Sequence, residues 1–289
     1  FAVAQAKRLF ALMVSGASLG GLTGPLLGVL LVAAVGHAGL VLISAALLVA
    51  AAFGAQQDRR GSDRHPLAAD EIAQRQRPLG GSPFAGVIEV LRSPYLFGIA
   101  VFMLLLASVT TFLYFEQARL VEARFPNSED QTRVFGAIDV VVQSLAILSQ
   151  LFLTGRIAKK LGIGVLLVAV PLVAAAGFLW LALAPTFAEL AVGVVARRGG
   201  EYAFVRPGRE MLYTAVAPQE KYKAKNFNDT VVYRGADAVS AWAKAGIDML
   251  AQQPAIAMVI GSAIALAWAF NGGILARMHA RRLAANDTR

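Results

Sequence analysis

Six charged residues lie in two stretches that are long and apolar enough to cross a lipid bilayer. They are Arg197, Arg198, Glu201, Arg234, Asp237 and Lys244. A charge at membrane depth costs several kcal/mol, so such side chains normally face a water-filled pathway or one another. Arginine offers a planar fork of donors and lysine a point charge, and both suit the oxygen atoms of an anion. These residues predict part of a membrane pathway for a charged substrate.

The polar residues of the stretch 227–251 recur at steps of three and four, which places them on one helix face. We expect that face to line a cavity. Asp237 stands three residues after Arg234 and seven before Lys244, so it can pair with either cation. The residues of this face are Thr230, Tyr233, Arg234, Asp237, Ser240, Lys244 and Asp248.

The stretch 187–205 carries the other charged residues. Arg197 and Glu201 are spaced i, i+4, and Tyr202 follows Arg198 by four residues, so each pair shares a helix face. Across both stretches four cations stand against two carboxylates, and this surplus suits a polyphosphate or another polyanion. The alternative is that these groups form interhelical ion pairs that only hold the helices together.

A second set of polar residues supplies further candidates for coupling or gating. Tyr114 and Glu116 end a predicted span near the outer face, and Asp139 and Gln143 lie one third of the way into the next one. Each of them could contact substrate, and a role in gating or folding is equally open. A basic group at the cytoplasmic exit, which includes Arg206, is attributed to membrane orientation rather than to substrate binding.

The composition places these residues in an integral membrane protein. Of 289 residues, 57% are hydrophobic and 16% are charged, and the mean hydropathy is +0.60. Apolar residues do not alternate with polar ones, which favours helices over a membrane barrel. The chain has no cysteine, and its three histidines lie far apart, so no metal or cofactor is expected.

Enzyme motifs are missing from the sequence. It has no glycine-rich loop that ends in Lys-Ser or Lys-Thr and no hydrolase arrangement of Ser, His and Asp at membrane depth. We therefore expect a secondary transporter, driven by exchange or by an ion gradient, and not an enzyme.

Eight predicted spans have the length that crosses about 30 Å of hydrocarbon. A Gly-His-Ala-Gly break at 36–39 separates the first two, and Pro185 and Pro254 mark tight turns between later pairs. The linker 56–93 contains a short amphipathic stretch, 84–92. The predicted spans are 9–35, 38–55, 95–115, 133–155, 163–184, 187–205, 227–251 and 255–276.

The distribution of basic residues predicts the orientation of the chain. If it starts inside, most of its 27 Lys and Arg fall on one side, as the positive-inside rule requires of the cytoplasm. We therefore expect both ends to be cytoplasmic, in a bacterial inner membrane. The net charge of +9 is explained by this orientation, so no nucleic-acid partner is expected.

The predicted layout consists of two spans, a long linker and six further spans. It resembles the major facilitator superfamily without its first four helices. Residues 155–162 resemble the short cytoplasmic loop motif of that superfamily, with Lys159 where an Asp is usual. The resemblance implies an all-α integral membrane protein, a major-facilitator-like helical bundle with about eight of a presumed twelve transmembrane helices. The glycines and proline at 20–28 resemble its glycine-proline helix motif.

The same layout predicts how the chain is organised. Residues 1–55 would form the last two helices of an N-terminal bundle, 56–93 a cytoplasmic linker, and 94–289 a six-helix C-terminal bundle. Because the chain begins with Phe1 and not with Met, we expect it to be a fragment that lacks earlier helices and does not transport alone.

A narrower resemblance is carried by residues 197–214 and 220–237, which resemble the C-terminal signature of the ATP:ADP antiporter family. Residues 16–20 and 150–156 are similar to the same family. The resemblance implies exchange of nucleotides or a related organic anion, and therefore a nucleotide-like anionic substrate. We expect a monomer in the bilayer.

Two other functions stay open. In a proton-coupled facilitator for another solute, Asp139, Glu201 or Asp237 would carry the proton. In a non-transporting membrane partner, the charged residues would only stabilise the fold.

Overall fold

The computed structural model describes residues 3–62, 85–152, 154–251 and 253–287, and the elements within them are helices joined by short turns. Two passes each contain a π-helical turn. The elements are α1 (Val3–Ser62), α2 (Ala85–Arg92), α3 (Pro94–Arg124), α4 (Ser128–Phe152), α5 (Thr154–Leu183), α6 (Phe187–Gly200), a π turn (Glu201–Val205), α7 (Arg206–Leu212), a 3-10 turn (Tyr213–Ala215), α8 (Pro218–Phe227), a π turn (Asn228–Val232), α9 (Tyr233–Ala251) and α10 (Pro254–Asp287).

Helix α1 bends at Gly36, which has a left-handed backbone (φ 66°) that glycine adopts without steric cost. This bend lies at the predicted break between the first two spans. The second arm exposes large apolar side chains such as Leu42, Leu48 and Phe53, as a lipid-facing helix would. The arm continues to Ser62 and therefore extends past the predicted start of the linker at residue 56. Most of that linker, residues 63–84, lies outside the described residues, and the amphipathic stretch forms α2.

Six antiparallel passes follow α2. At one end the ring of Phe125 packs edge-on against Phe187, with centroids 5.3 Å apart. At the opposite end the Tyr95 hydroxyl donates to the Leu212 carbonyl over 2.7 Å and lies 3.0 Å from His279 Nδ1. These contacts join different passes at each end of the bundle. The breaks predicted at Pro185 and Pro254 are confirmed.

Five of the described helical segments are long and apolar enough to span a membrane. The predicted spans 187–205 and 227–251 are not among them, because each carries several charged residues and is interrupted by a π turn. The all-α membrane fold is therefore confirmed, and its two most polar passes are the two that carry the predicted site. The five segments are Gly16–Gln57, Pro94–Arg124, Ser128–Phe152, Gly162–Leu183 and Pro254–Ala285.

Helix α4 joins the six-helix bundle to α1. A Cβ on Gly136 would lie 2.6 Å from a Val29 methyl group, so the two backbones approach closely. His37 Nε2 lies 2.9 Å from the Thr132 hydroxyl. Gln143 also faces α1, because a Cβ at Gly21 would lie 3.2 Å from its amide nitrogen.

Helices α5 and α10 pack so closely that one glycine is required between them. A Cβ on Gly272 would lie 2.8 Å from the carbonyl oxygen of Leu167. That backbone atom cannot move aside as a flexible side chain could. The small residue therefore allows the two backbones to meet.

We expect Gly272→Ala to lower the melting temperature of the detergent-solubilised protein by several degrees, because overpacking in a filled core costs about 1–3 kcal/mol. Gly273→Ala is the matched control, since a Cβ there meets no atom within 4 Å. The control should melt at the wild-type temperature or slightly above it. Equal melting temperatures for the two variants would contradict the close α5–α10 contact.

Candidate functional site

A cavity of about 300 Å³ lies between α3, α4, the α6–α7 pass and the start of α9. Arg197 follows the start of α6 at Phe187 by ten residues, or about 15 Å of helix, which is about half of the hydrocarbon thickness. The site therefore lies near the middle of the α6–α7 pass. Its lining residues are Thr110, Leu113, Tyr114, Gln117, Phe135, Asp139, Val194, Arg197, Arg198, Glu201, Tyr202, Arg206 and Tyr233.

Glu201 stands between two arginines in this cavity. Its Oε2 accepts a hydrogen bond from Arg197 Nη1 over 3.1 Å, as the i, i+4 spacing predicts. Its Oε1 lies 3.7 Å from Arg206 Nε. Arg197 is buried and also donates to the Thr110 hydroxyl over 2.8 Å, which connects it to α3.

The π turn Glu201–Val205 explains why Arg206 reaches Glu201. In a regular α-helix, a residue five positions further on lies about 140° around the axis. In this turn the Arg206 N–H bonds to the Glu201 carbonyl, the i→i+5 pattern of a π-helix. The wider turn brings both side chains to the cavity side, and π turns of this kind are frequent at functional sites.

Arg198 pairs with Asp139 and so connects α6 to α4. Both side chains are partly exposed to the cavity. The sequence predicts separate roles for them, Arg198 as a substrate ligand and Asp139 as a coupling candidate. The structure brings them together in one interhelical ion pair.

Aromatic rings form much of the remaining wall. Tyr202 lies under Arg206, whose guanidinium carbon is 4.0 Å from the ring centroid. Tyr114, Phe135 and Tyr233 line the same space. A cation above an aromatic face is electrostatically favourable, so the ring of Tyr202 helps to hold Arg206 in place. The cavity thus combines cationic groups with flat apolar surfaces.

The polar face predicted on α9 does not line this cavity as a unit. The Asp237 carboxylate accepts a hydrogen bond from Thr111 over 3.1 Å, and Ser240 donates to Ser108 over 2.8 Å, so both residues face α3. Arg234 comes one residue after Tyr233 and points about 100° away from it. Its side chain is 79% exposed and lies 3.9 Å from Asp237.

Lys244 does not pair with Asp237, which the sequence predicted as a possible partner, but with Asp248. Its Nζ lies 2.7 Å from Oδ1 and 2.5 Å from Oδ2 of Asp248, one helical turn further on. Asp237 lies on the same side of α9 but almost two turns away, too far for direct contact. Arg234, Asp237 and Lys244 are therefore outside the cavity lining, and their role in substrate binding stays a prediction.

Two coupling candidates also lie outside the lining. Glu116 is buried and pairs with Arg119 towards the C-terminal end of α3, and Gln143 faces α1. Within the lining, three arginines stand against the carboxylates of Asp139 and Glu201. The surplus of positive charge here is one, smaller than the predicted surplus of two, because Arg234 and Lys244 do not contribute and Arg206 makes up for only one of them.

The sequence did not predict three of the polar residues that line the cavity. Arg206 was attributed to the cytoplasmic rim, although its i, i+4 spacing from Tyr202 is a visible signal. Thr110 and Gln117 lie on α3 four residues before and three residues after Tyr114, and this helical spacing could have indicated the cavity face.

Comparison with known proteins identifies the fold family. The family model described as Major Facilitator Superfamily matches residues 1–223, which is more than half of the chain. No curated protein matches the chain. The narrower resemblance to the ATP:ADP antiporters therefore stays a prediction based on the residues quoted above.

Proposed function

Because the chain belongs to the Major Facilitator Superfamily, whose members are transporters, we propose that its substrate is an organic anion of the nucleotide type, exchanged across the membrane by alternating access. The observation that supports this proposal is the cluster of Arg197, Arg198 and Arg206 around one cavity near the middle of the α6–α7 pass. Three guanidinium groups provide the planar donor forks that phosphate and carboxylate groups bind best.

Charge balance favours exchange over one-way movement. The described lining of the cavity has one more cation than carboxylate. Carrying an uncompensated charge through an occluded state in the bilayer is costly, whereas an anion in the cavity offsets it. A carrier of this kind changes between its inward-facing and outward-facing states most readily when substrate is bound in both directions.

The proposed orientation has both ends of the chain in the cytoplasm of a bacterial cell, with the protein in the inner membrane. In this orientation α6 starts at the outer face and α7 ends at the inner face. Arg206 then lies on the cytoplasmic side of Arg197, where a substrate arriving from the cytoplasm would meet it first.

The deciding experiment is uptake of labelled ATP into liposomes that contain the full-length protein. One set of liposomes is preloaded with ADP and the other is empty. We expect uptake in the preloaded set at a rate well above that of the empty set. Equal uptake in both sets would contradict exchange, and no uptake of ATP, ADP or AMP in either set would remove nucleotides as substrates.

A proton-coupled facilitator is the second candidate. The observation that favours it is the pair of carboxylates, Asp139 and Glu201, that line the cavity beside the arginines. Protonation of either one would release an arginine for substrate. In this case an imposed pH gradient would drive uptake into empty liposomes, and internal ADP would have no effect.

A further inference from the structure

Two buried donors in the cavity have no hydrogen-bond partner in the described part of the chain. They are Arg197 Nε and the side-chain amide nitrogen of Gln117, and both residues line the same space. Buried polar atoms are normally satisfied, and leaving one unpaired is unfavourable. Both atoms are covered by protein, although their residues line the cavity. A small turn of either side chain would present its donor to an acceptor in the cavity.

The carboxylate of Glu201 already occupies part of that space. One oxygen bonds to Arg197 and the other lies close to Arg206, so each arginine receives one oxygen. A phosphate or carboxylate group of a ligand would bridge two guanidinium groups in the same way. The contact to Arg206 is long, at 3.7 Å, and the Arg206 side chain is 52% exposed, so this arginine is the less firmly held of the two.

We propose that Glu201 is an internal counter-ion that occupies the anion subsite of the empty carrier. The anionic group of the substrate replaces it between Arg197 and Arg206. Arg197 Nε then adds to the contact of its own guanidinium, and the Gln117 amide binds a further oxygen. Gln117 thereby becomes a substrate ligand. The proposal rests on the anion transport proposed above and adds which group the substrate displaces.

The number of donors points to a terminal phosphate. A carboxylate has two oxygens, enough for the two arginines alone. A terminal phosphate has three, so it can also accept from Gln117. The aromatic wall formed by Tyr114, Phe135 and Tyr233 would contact the organic part of such a ligand. We therefore expect a nucleoside monophosphate to bind more tightly than inorganic phosphate.

The test compares binding of AMP to the full-length wild-type protein and to Glu201→Gln in detergent. Glutamine has the same shape but no charge, so it frees both arginines and no longer competes with the ligand. We expect the apparent Kd for AMP to fall about tenfold, which corresponds to about 1.4 kcal/mol. Glu210→Gln is the matched control, because Glu210 is in the same pass, pairs with Lys225 over 2.7 Å and lies outside the cavity.

A second variant tests the donor on α3. Gln117→Met keeps the length of the side chain and removes its amide, so we expect the Kd for AMP to rise about five- to tenfold. Benzoate is a carboxylate with two acceptor oxygens. The ratio of the Kd for benzoate to the Kd for AMP should therefore be smaller in this variant than in wild type. Melting temperatures report whether each variant is folded.

The outcomes separate this inference from the proposed function. If wild type binds AMP, and folded Glu201→Gln binds it no more tightly, the displacement of Glu201 is wrong and anion transport is unaffected. An unchanged Kd in Gln117→Met would likewise remove Gln117 as a ligand. If neither wild type nor Glu201→Gln binds AMP, inorganic phosphate or benzoate, the anion function fails together with the inference.

Discussion

Replacing Arg197 with methionine is expected to reduce anion transport by about two orders of magnitude and to leave the protein folded. Arg197 is buried, lines the cavity and carries an N–H with no partner among the described residues. Loss of a charge-assisted contact weakens binding of the anion by about 2–3 kcal/mol. Each 1.4 kcal/mol corresponds to about a tenfold change in binding, and hence in transport. Glu201 would keep Arg206 as its neighbour, so the variant does not strand a buried carboxylate.

The matched control for this variant is Arg133→Met. Arg133 lies near the start of α4, pairs with the exposed carboxylate of Asp130 and does not line the cavity. The transport rate of the Arg133→Met variant should stay within about twofold of wild type, because exposed ion pairs contribute little to stability. A folded Arg197→Met that exchanges anions at the wild-type rate would show that this arginine has only a structural role.

The sequence predicted the parts of this site that depend on one helix. Arg197 and Glu201 pair as their i, i+4 spacing requires, and the break in α1 occurs at Gly36 as the glycine-rich run indicates. Both features follow from local geometry, since neighbours at i+4 meet in any α-helix and only glycine adopts a left-handed backbone without steric cost.

What the sequence did not predict depends on small rotations and on packing between helices. The π turn after Glu201 brings Arg206 within reach of Glu201, and no spacing rule for α-helices pairs residues that are five apart. On α9, residues 233 to 248 share a broad polar face, yet Asp237 and Ser240 bond to α3 while Arg234 faces away. The rotation of a helix against its neighbours decides which part of a polar face lines a cavity.

The bundle therefore uses its membrane-depth charges in two different ways. In the cavity, Glu201 lies between two arginines and has a loose contact to one of them, an arrangement that a ligand can replace. Nearer the end of the bundle where Phe125 meets Phe187, Lys244 holds both oxygens of Asp248, and Glu116 is paired with Arg119. In these two pairs the charged groups are already bound to each other, so few donors are free to bind a ligand. This fits a role in stability better than one in substrate binding.

Asp248→Asn is expected to destabilise the protein by about 3–5 kcal/mol, because it leaves the buried ammonium of Lys244 without a counter-charge. The Lys244 side chain is 3% exposed, whereas Asp248 is 46% exposed. The reverse substitution, Lys244→Met, should cost about 1 kcal/mol or less, since water can solvate the remaining carboxylate and methionine fills the apolar space.

The double variant Lys244→Met/Asp248→Asn completes a double-mutant cycle with wild type and the two single variants. We expect its stability to lie close to that of Lys244→Met, so that removing the lysine rescues most of the loss caused by Asp248→Asn. Denaturant unfolding in mild detergent measures all four proteins under one condition. If Lys244→Met were as unstable as Asp248→Asn, the stability would depend on the attraction between the two charges rather than on burial of the ammonium. The asymmetry between the single variants therefore shows which member of the pair the fold requires to be neutralised.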